Sequence, residues 1–137
     1  MIFVDTGAWI ALTDTSDQYH EEAVGIYAIL KQQRVRFITT DYVIDETVTR
    51  LRYDANHHIA LEFLDAMTLS GSADTLQIVH INESLFKEAV SIFRQYDSAV
   101  LSFTDCVSFA VCKRYEISEA FAFDRHFPMV GVSLRSK

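Results

Sequence analysis

Proline is nearly missing from this chain and glycine is scarce, with one and four among 137 residues. A turn-dense β-sandwich or a disordered linker needs more of both, so the scarcity points to a helix-rich globular fold. Cysteine is limited to Cys106 and Cys112 in an apolar stretch, with no C-x-x-C or Cys/His zinc spacing around them. They read as buried thiols in a reducing compartment. Long apolar runs are missing as well. The run nearest the start, Ala8 to Leu12, falls far short of the ~20 residues that span a bilayer, and Met1 to Asp5 carries no basic leader. The expectation is a cytoplasmic protein with no membrane association.

Positive charge is in short supply: 12 bases stand against 19 acids, for a formal charge of −7. That balance argues against a general nucleic-acid binder, because phosphate contacts need local positive charge. Acids that hold cations escape this argument, since a bound metal reverses the local field. What is plentiful is apolar side chain, half of the chain, enough to build one core over residues 1–137 and too little chain for a second.

The apolar residues alternate between short runs and helical stripes. Ile2 to Asp5 reads as a buried strand ending on an acid. A short helix follows, and residues 17 to 33 form an amphipathic helix capped by Ser16 or Asp17. Arg36 to Thr39 is a strand, with Thr40 or Asp41 capping a helix that carries Glu46 in its second turn. Residues 56 to 69 form another helix closed by Gly71, and Leu76 to Ile81 a strand followed by an Asn82 cap. The next helix carries the stripe Leu85, Phe86, Ala89, Val90, Phe93 and Tyr96. Thr104 caps a helix from Asp105 to about Tyr115, Ala120 to Phe123 is a second apolar run ending on an acid, Asp124, and Val130 to Leu134 is a last strand. Strands alternating with helices predict a mainly parallel sheet covered by helices on its faces.

In such a sheet the strand carboxyl ends and the helix starts that follow them share one edge, where ligands bind. Asp5 and Asp124 end strands, while Asp105 and Glu46 lie near helix starts, so all four can face that edge. Crowded carboxylates repel one another and are costly to desolvate, and a hard cation such as Mg²⁺ or Mn²⁺ relieves both penalties. Paired ions of this kind activate water and clamp a phosphodiester in in-line displacement.

Four segments make the reading specific: Val4-Asp5-Thr6-Gly7-Ala8-Trp9, Thr39 to Glu46, Leu101-Ser102-Phe103-Thr104-Asp105-Cys106, and Phe121-Ala122-Phe123-Asp124-Arg125-His126-Phe127. In order and rough spacing the chain resembles PIN-domain proteins over nearly its whole length, in particular the short VapC-type toxins of toxin–antitoxin pairs. The resemblance implies a three-layer α/β/α fold and metal-dependent endoribonuclease activity. It implies Asp5, Glu46, Asp105 and Asp124 as metal ligands, with Thr6 and Thr104 as supporting hydroxyls. Gly7 stands where the pattern would place Ser or Asn. An RNA substrate, a cognate antitoxin and a homodimer built on the apolar residues of the 42–67 region follow as expected partners.

Each residue also has a plainer reading. Glu46 with Arg50 four positions on is a common helical ion pair, and Asp105 is equally a first-turn acid. Asp5 and Asp124 resist dismissal, because an acid abutting a buried run needs partners. Asp41 is a cap or first-turn acid, and Asp45 points about 100° away from Glu46. His57 and His58 read as a surface pair, and His126, close enough to Asp124 to touch a substrate phosphate, reads more readily as a solvated loop residue. Arg125, beside Asp124, is the base best placed to grip RNA. Lys31, Arg34 and Arg36 suit a helix end. Phe63, Phe86, Phe93 and Phe109 are expected in the core, and Trp9 either there or on a contact surface. Two other functions compete: a catalytically silent interaction module, and a phosphatase, whose D-x-D signature is broken by Gly7.

Overall fold

The structure, a computed structural model, describes residues 1–136. Five strands form one parallel sheet in the order β3-β2-β1-β4-β5: β1 (Ile2–Val4), β2 (Phe37–Thr40), β3 (Leu76–Val79), β4 (Glu119–Phe121) and β5 (Ser133–Leu134). Six helices connect them: α1 (Thr6–Thr13), α2 (His20–Gln32), α3 (Asp41–Asp54), α4 (His57–Ser72), α5 (Glu83–Gln95) and α6 (Phe103–Arg114). The expected three-layer arrangement with a parallel sheet is present, and every strand pairing is parallel.

The order of the strands decides where ligands can sit. From β1 the chain moves outward through β2 to β3, then crosses back to β4 on the other side of β1. Right-handed crossovers running in opposite directions carry their helices to opposite faces. Accordingly α1 packs on both α2 and α3, and α3 on α4, while α5 packs on α6. The reversal lies between β1 and β4, where Phe3 pairs with Ala120 and Val4 with Phe121. At such a switch point the two outgoing connections diverge and leave a crevice at the strand carboxyl ends.

Central strands are buried on both faces, which explains why Ile2, Phe3, Val4, Ala120 and Phe121 form unbroken apolar runs. Phe63 and Phe109 are in the core as expected, and Trp9 joins them, its indole N–H donating to Thr39 Oγ1 at 3.4 Å. Both cysteines are buried free thiols.

Several expected boundaries shift. The helix expected from residue 17 begins at His20, because Asp14 and Asp17 use their carboxylates on local turns: Asp14 Oδ1 accepts from Ser16 N–H at 2.9 Å and Asp17 Oδ2 from Tyr19 N–H at 2.9 Å. Gly71 lies inside α4, which ends at Ser72 with Ala73 as its C-cap, and Asp74 turns the chain at φ 60°. Ser102, and not Thr104, caps α6; its hydroxyl accepts from Asp105 N–H. Residues 127–130 form a 3-10 turn closed by Gly131 at φ 81°, so the last strand shortens to β5. Phe86 and Phe93 are not core residues: they are 43% and 51% exposed on α5. Their stripe faces a neighbouring aromatic cluster at the surface, where Phe103 contacts both.

Candidate active site

Four acids far apart in the sequence meet at the crevice. Asp5, Glu46, Asp105 and Asp124, together with Thr6, Gly7, Arg50 and Ser102, line one cleft of about 410 Å³. Asp5 follows β1 and begins α1, its carbonyl accepting from Ala8 and Trp9 N–H. Asp124 follows β4 across the switch point. Asp105 sits in the first turn of α6, and Glu46 in the second turn of α3, whose start is fixed by Thr40 accepting from Val43 N–H at 3.0 Å.

Burial makes the cluster costly. Asp5 is only 5% exposed, and burial pushes its carboxyl up to about 7; a backbone hydrogen bond from Thr6 works against this, while the charges of Asp105, Asp124 and Glu46 add to it. The Asp105 carboxyl is also raised, first by burial and then by Asp124, with the Ser102 N–H bond opposing. In the protein alone, burial and mutual repulsion disfavour the ionised forms of Asp5 and Asp105. Thr6 Oγ1 is buried beside Asp5 with no hydrogen-bond partner. A crowded all-oxygen donor set with a spare hydroxyl fits a hard divalent cation.

Each acid is held by its own local structure. Asp105 Oδ2 accepts the Ser102 N–H at 3.0 Å while Ser102 Oγ accepts the Asp105 N–H at 3.0 Å, a reciprocal capping box. Asp124 Oδ1 accepts the His126 N–H at 2.9 Å, and His126 Nδ1 lies 2.7 Å from the same oxygen, at ion-pair distance though outside hydrogen-bond alignment. Ligand atoms of Asp105, Asp124 and His126 all lie within 4.8 Å of one another. His126 thus belongs to the edge of the cluster, where its place two residues after Asp124 already allowed it, and is not a plain solvated loop residue.

The structure separates the remaining candidates. Thr6 lines the cleft; Thr104 and Arg125 do not, and Arg125 is exposed. Arg50 lines it, and among the described residues it makes no ion pair with Glu46 or any other acid. Sequence reasoning spent Arg50 on a helical salt bridge and passed over Ser102, although the S-x-x-D spacing of Ser102 and Asp105 is a capping-box signal. Asp41 stays outside the cleft and accepts from Ile81 N–H at 3.2 Å, tying α3 to the segment after β3. His57 is exposed, and exposed His58 pairs with Glu62 at 3.0 Å. Arg36 pairs with Asp74 at 3.2 Å.

The thiols offer no nucleophile. Burial pushes Cys112 up to about 12 and also raises Cys106, so neither supplies thiolate near neutrality. A larger groove of about 540 Å³ between α3 and α4 is lined by Val48, Arg52, Tyr53, Leu61 and Leu64 among others and contains no acid. It has no carboxylate with which to hold a hard cation. No helix among the described residues is long and apolar enough to cross a membrane.

Comparison with known proteins gives concordant results. A family model for the PIN domain matches residues 2–132. The 23S rRNA-specific endonuclease VapC20 of Mycobacterium tuberculosis, in strains CDC 1551 / Oshkosh and ATCC 25618 / H37Rv, is 32% identical over 131 residues, covering 96% of this chain and 95% of that protein. The crystal structure of M. tuberculosis VapC20, described as a sarcin-ricin loop cleaving toxin, superposes with a TM-score of 0.90 at 30% identity over 100% of both chains. VapBC2 from Rickettsia felis, crystallised with a DNA fragment from its promoter, shares the fold alone, with a TM-score of 0.69 at 11% identity over 98% of each chain.

Proposed function

This chain belongs to the PIN-domain family, and from that premise we propose that it is a metal-dependent endoribonuclease, the toxin of a toxin–antitoxin pair, cutting a loop of structured ribosomal RNA. The observation that carries the reading is the convergence of Asp5, Glu46, Asp105 and Asp124 on one cleft at the switch point. The likeness to VapC20 over almost the full length supports the substrate class.

In this reading the whole chain, 1–137, is one nuclease domain. The four carboxylates would hold Mg²⁺ or Mn²⁺, with the unpartnered Thr6 hydroxyl beside Asp5 as a supporting group. The bound cation supplies Lewis acidity and a water of lowered pKa for phosphodiester hydrolysis. Ser102 keeps Asp105 in place through its N–H, and the turn at His126 does the same for Asp124. Arg50 grips a phosphate next to the one being cut, since its guanidinium is exposed at the cleft and free of acid partners among the described residues. Water is the attacking group, because both thiols are buried and raised in pKa and the Ser102 hydroxyl is engaged as a cap.

The acidic net charge is then partly a property of the site, neutralised when cations bind before RNA does. A cognate antitoxin silences the protein, and two copies associate through the apolar face of α3 and α4, where Tyr53 is 81% exposed. The protein works in the cytoplasm, where ribosomes are found. A silent interaction module fits less well, since all four acids are retained and share one cleft.

The test incubates purified protein with ribosomal RNA, with and without Mg²⁺ or Mn²⁺, beside Asp5→Asn and Asp124→Asn. Cleavage that needs the metal and is lost in both variants is expected. Equal cleavage by all three proteins sinks the proposed site.

A further inference from the structure

The residues lining the cleft, Asp5, Thr6, Gly7, Glu46, Arg50, Ser102, Asp105 and Asp124, suit cations and phosphate, and none of them carries an aromatic ring for a base. Selecting a site in looped RNA requires contact with splayed-out bases, and aromatic rings are the usual platforms.

One aromatic pair stands at the rim. Phe123 immediately precedes Asp124, and its Cβ lies 3.9 Å from where a Cβ on Gly7 would sit. Gly7 and Asp124 both line the cleft, so Phe123 flanks it. Tyr19 lies on Phe123 with ring centroids 4.5 Å apart and planes 5° from parallel. The other aromatic contacts among the described residues are inclined by 23° or more. A parallel stack can be extended by a third flat ring, whereas an edge-on pair cannot. Tyr19 is 40% exposed, so its ring is only partly covered.

Tyr19 is also held still. Its N–H donates to Asp17 Oδ2 at 2.9 Å and its carbonyl accepts from Ala23 N–H at 2.9 Å. The next residue, His20, places Nδ1 2.7 Å from the Ala11 carbonyl oxygen, tying the segment to α1. Behind Phe123, Phe121 of β4 contacts it edge-on at 6.3 Å, so the stack is rooted in the sheet. A ring fixed in advance loses little conformational entropy on binding.

We propose that Tyr19, stacked on Phe123 at the rim of the acidic cleft, is a nucleobase platform that takes an unpaired RNA base beside the phosphodiester to be cut. The proposal rests on the nuclease reading and adds a base-binding subsite to it.

The probe is a set of RNA stem-loops, each with a single 2-aminopurine at a different loop position and a 5′ fluorescein. Binding is followed in Mg²⁺ with Asp5→Asn as the parent, so that the probe stays intact. The parent quenches 2-aminopurine at one or two loop positions. Tyr19→Ala and Tyr19→Leu abolish that quenching and weaken binding about 5- to 150-fold, while Tyr19→Phe retains both. Leucine keeps Phe123 covered, so a ring that merely shields Phe123 predicts full binding by Tyr19→Leu. Unchanged affinity and quenching in folded Tyr19→Leu overturn the proposal. So does quenching that survives there and is lost in Phe86→Ala or Phe93→Ala, which places the platform on α5. If wild type cuts RNA but quenching ignores Tyr19, only the platform falls; if wild type neither cuts nor binds RNA, the nuclease reading falls and the platform with it.

Discussion

At the scale of single residues, the cleft trades stability for charge. Asp5 is the clearest case, with burial and three neighbouring acids pushing its carboxyl up to about 7 from 3.8. A carboxyl whose folded pKa exceeds its unfolded value holds its proton more tightly when folded. Its contribution to stability is therefore fully present below about 3.8 and lost as pH rises through about 7. Asp5→Asn keeps the shape and removes the charge, so at pH 8 without metal the variant melts higher than wild type in calorimetry, while RNA cleavage falls about 10²-fold or more. A lower melting temperature for the variant at pH 8 contradicts this account of the cluster. Arg50 gives a different signature, because a phosphate grip acts on binding: Arg50→Ala raises KM about tenfold with little change in kcat, and the salt dependence of RNA binding loses about one charge.

At the scale of elements, helix starts position the acids. The capping box of α6 joins Ser102 to Asp105 in both directions at 3.0 Å, so the same contact starts the helix and orients a cleft carboxylate. Ser102→Ala removes the side-chain half of the box. Urea denaturation should show a loss of about 1 kcal/mol, and single-turnover cleavage should slow, because Asp105 is left held by one bond where two had fixed its turn. Thr104→Ala, which touches neither the cap nor the cleft lining, serves as the comparison and should change both far less. The displaced start of α2 follows the same logic. Ser16 and Asp17 had the right chemistry for a cap, but the Asp14 and Asp17 carboxylates close local turns, and Tyr19 is left at the rim of the cleft.

At the scale of the whole molecule, the cluster couples metal, pH and folding. Several carboxylates repel across one cleft of about 410 Å³, and a divalent cation held there by the folded state alone would raise stability by mass action. Protons compete for the same oxygens. The increase in melting temperature caused by 5–10 mM Mn²⁺, a range on the order of ordinary assay concentrations, should therefore be larger at pH 8 than at pH 5.5, and should shrink in Asp5→Asn. Equal shifts at both pH values count against carboxylate ligation at this cleft.

The apolar runs Ile2 to Val4 and Ala120 to Phe121 determined the buried strands by themselves, because a strand covered on both faces must be apolar without alternation. Asp5 and Asp124, acids that close the apolar runs Ile2 to Val4 and Ala120 to Phe123, were legible for the same reason, although β4 itself stops at Phe121, and the parallel sheet followed from the alternation of strands with helices. Glu46 and Asp105 were different: their local sequence fits an ion pair or a first-turn acid equally well. Only the strand order, with its reversal between β1 and β4, puts them in the same cleft. Arg50's place in the cleft and the Tyr19–Phe123 stack could not be read from the chain, since each depends on a neighbour that spacing alone does not define. Phe86 and Phe93 fail in the opposite direction: a helical stripe reports which residues share a face, and only the packing of α5 against α6 decides whether that face is covered.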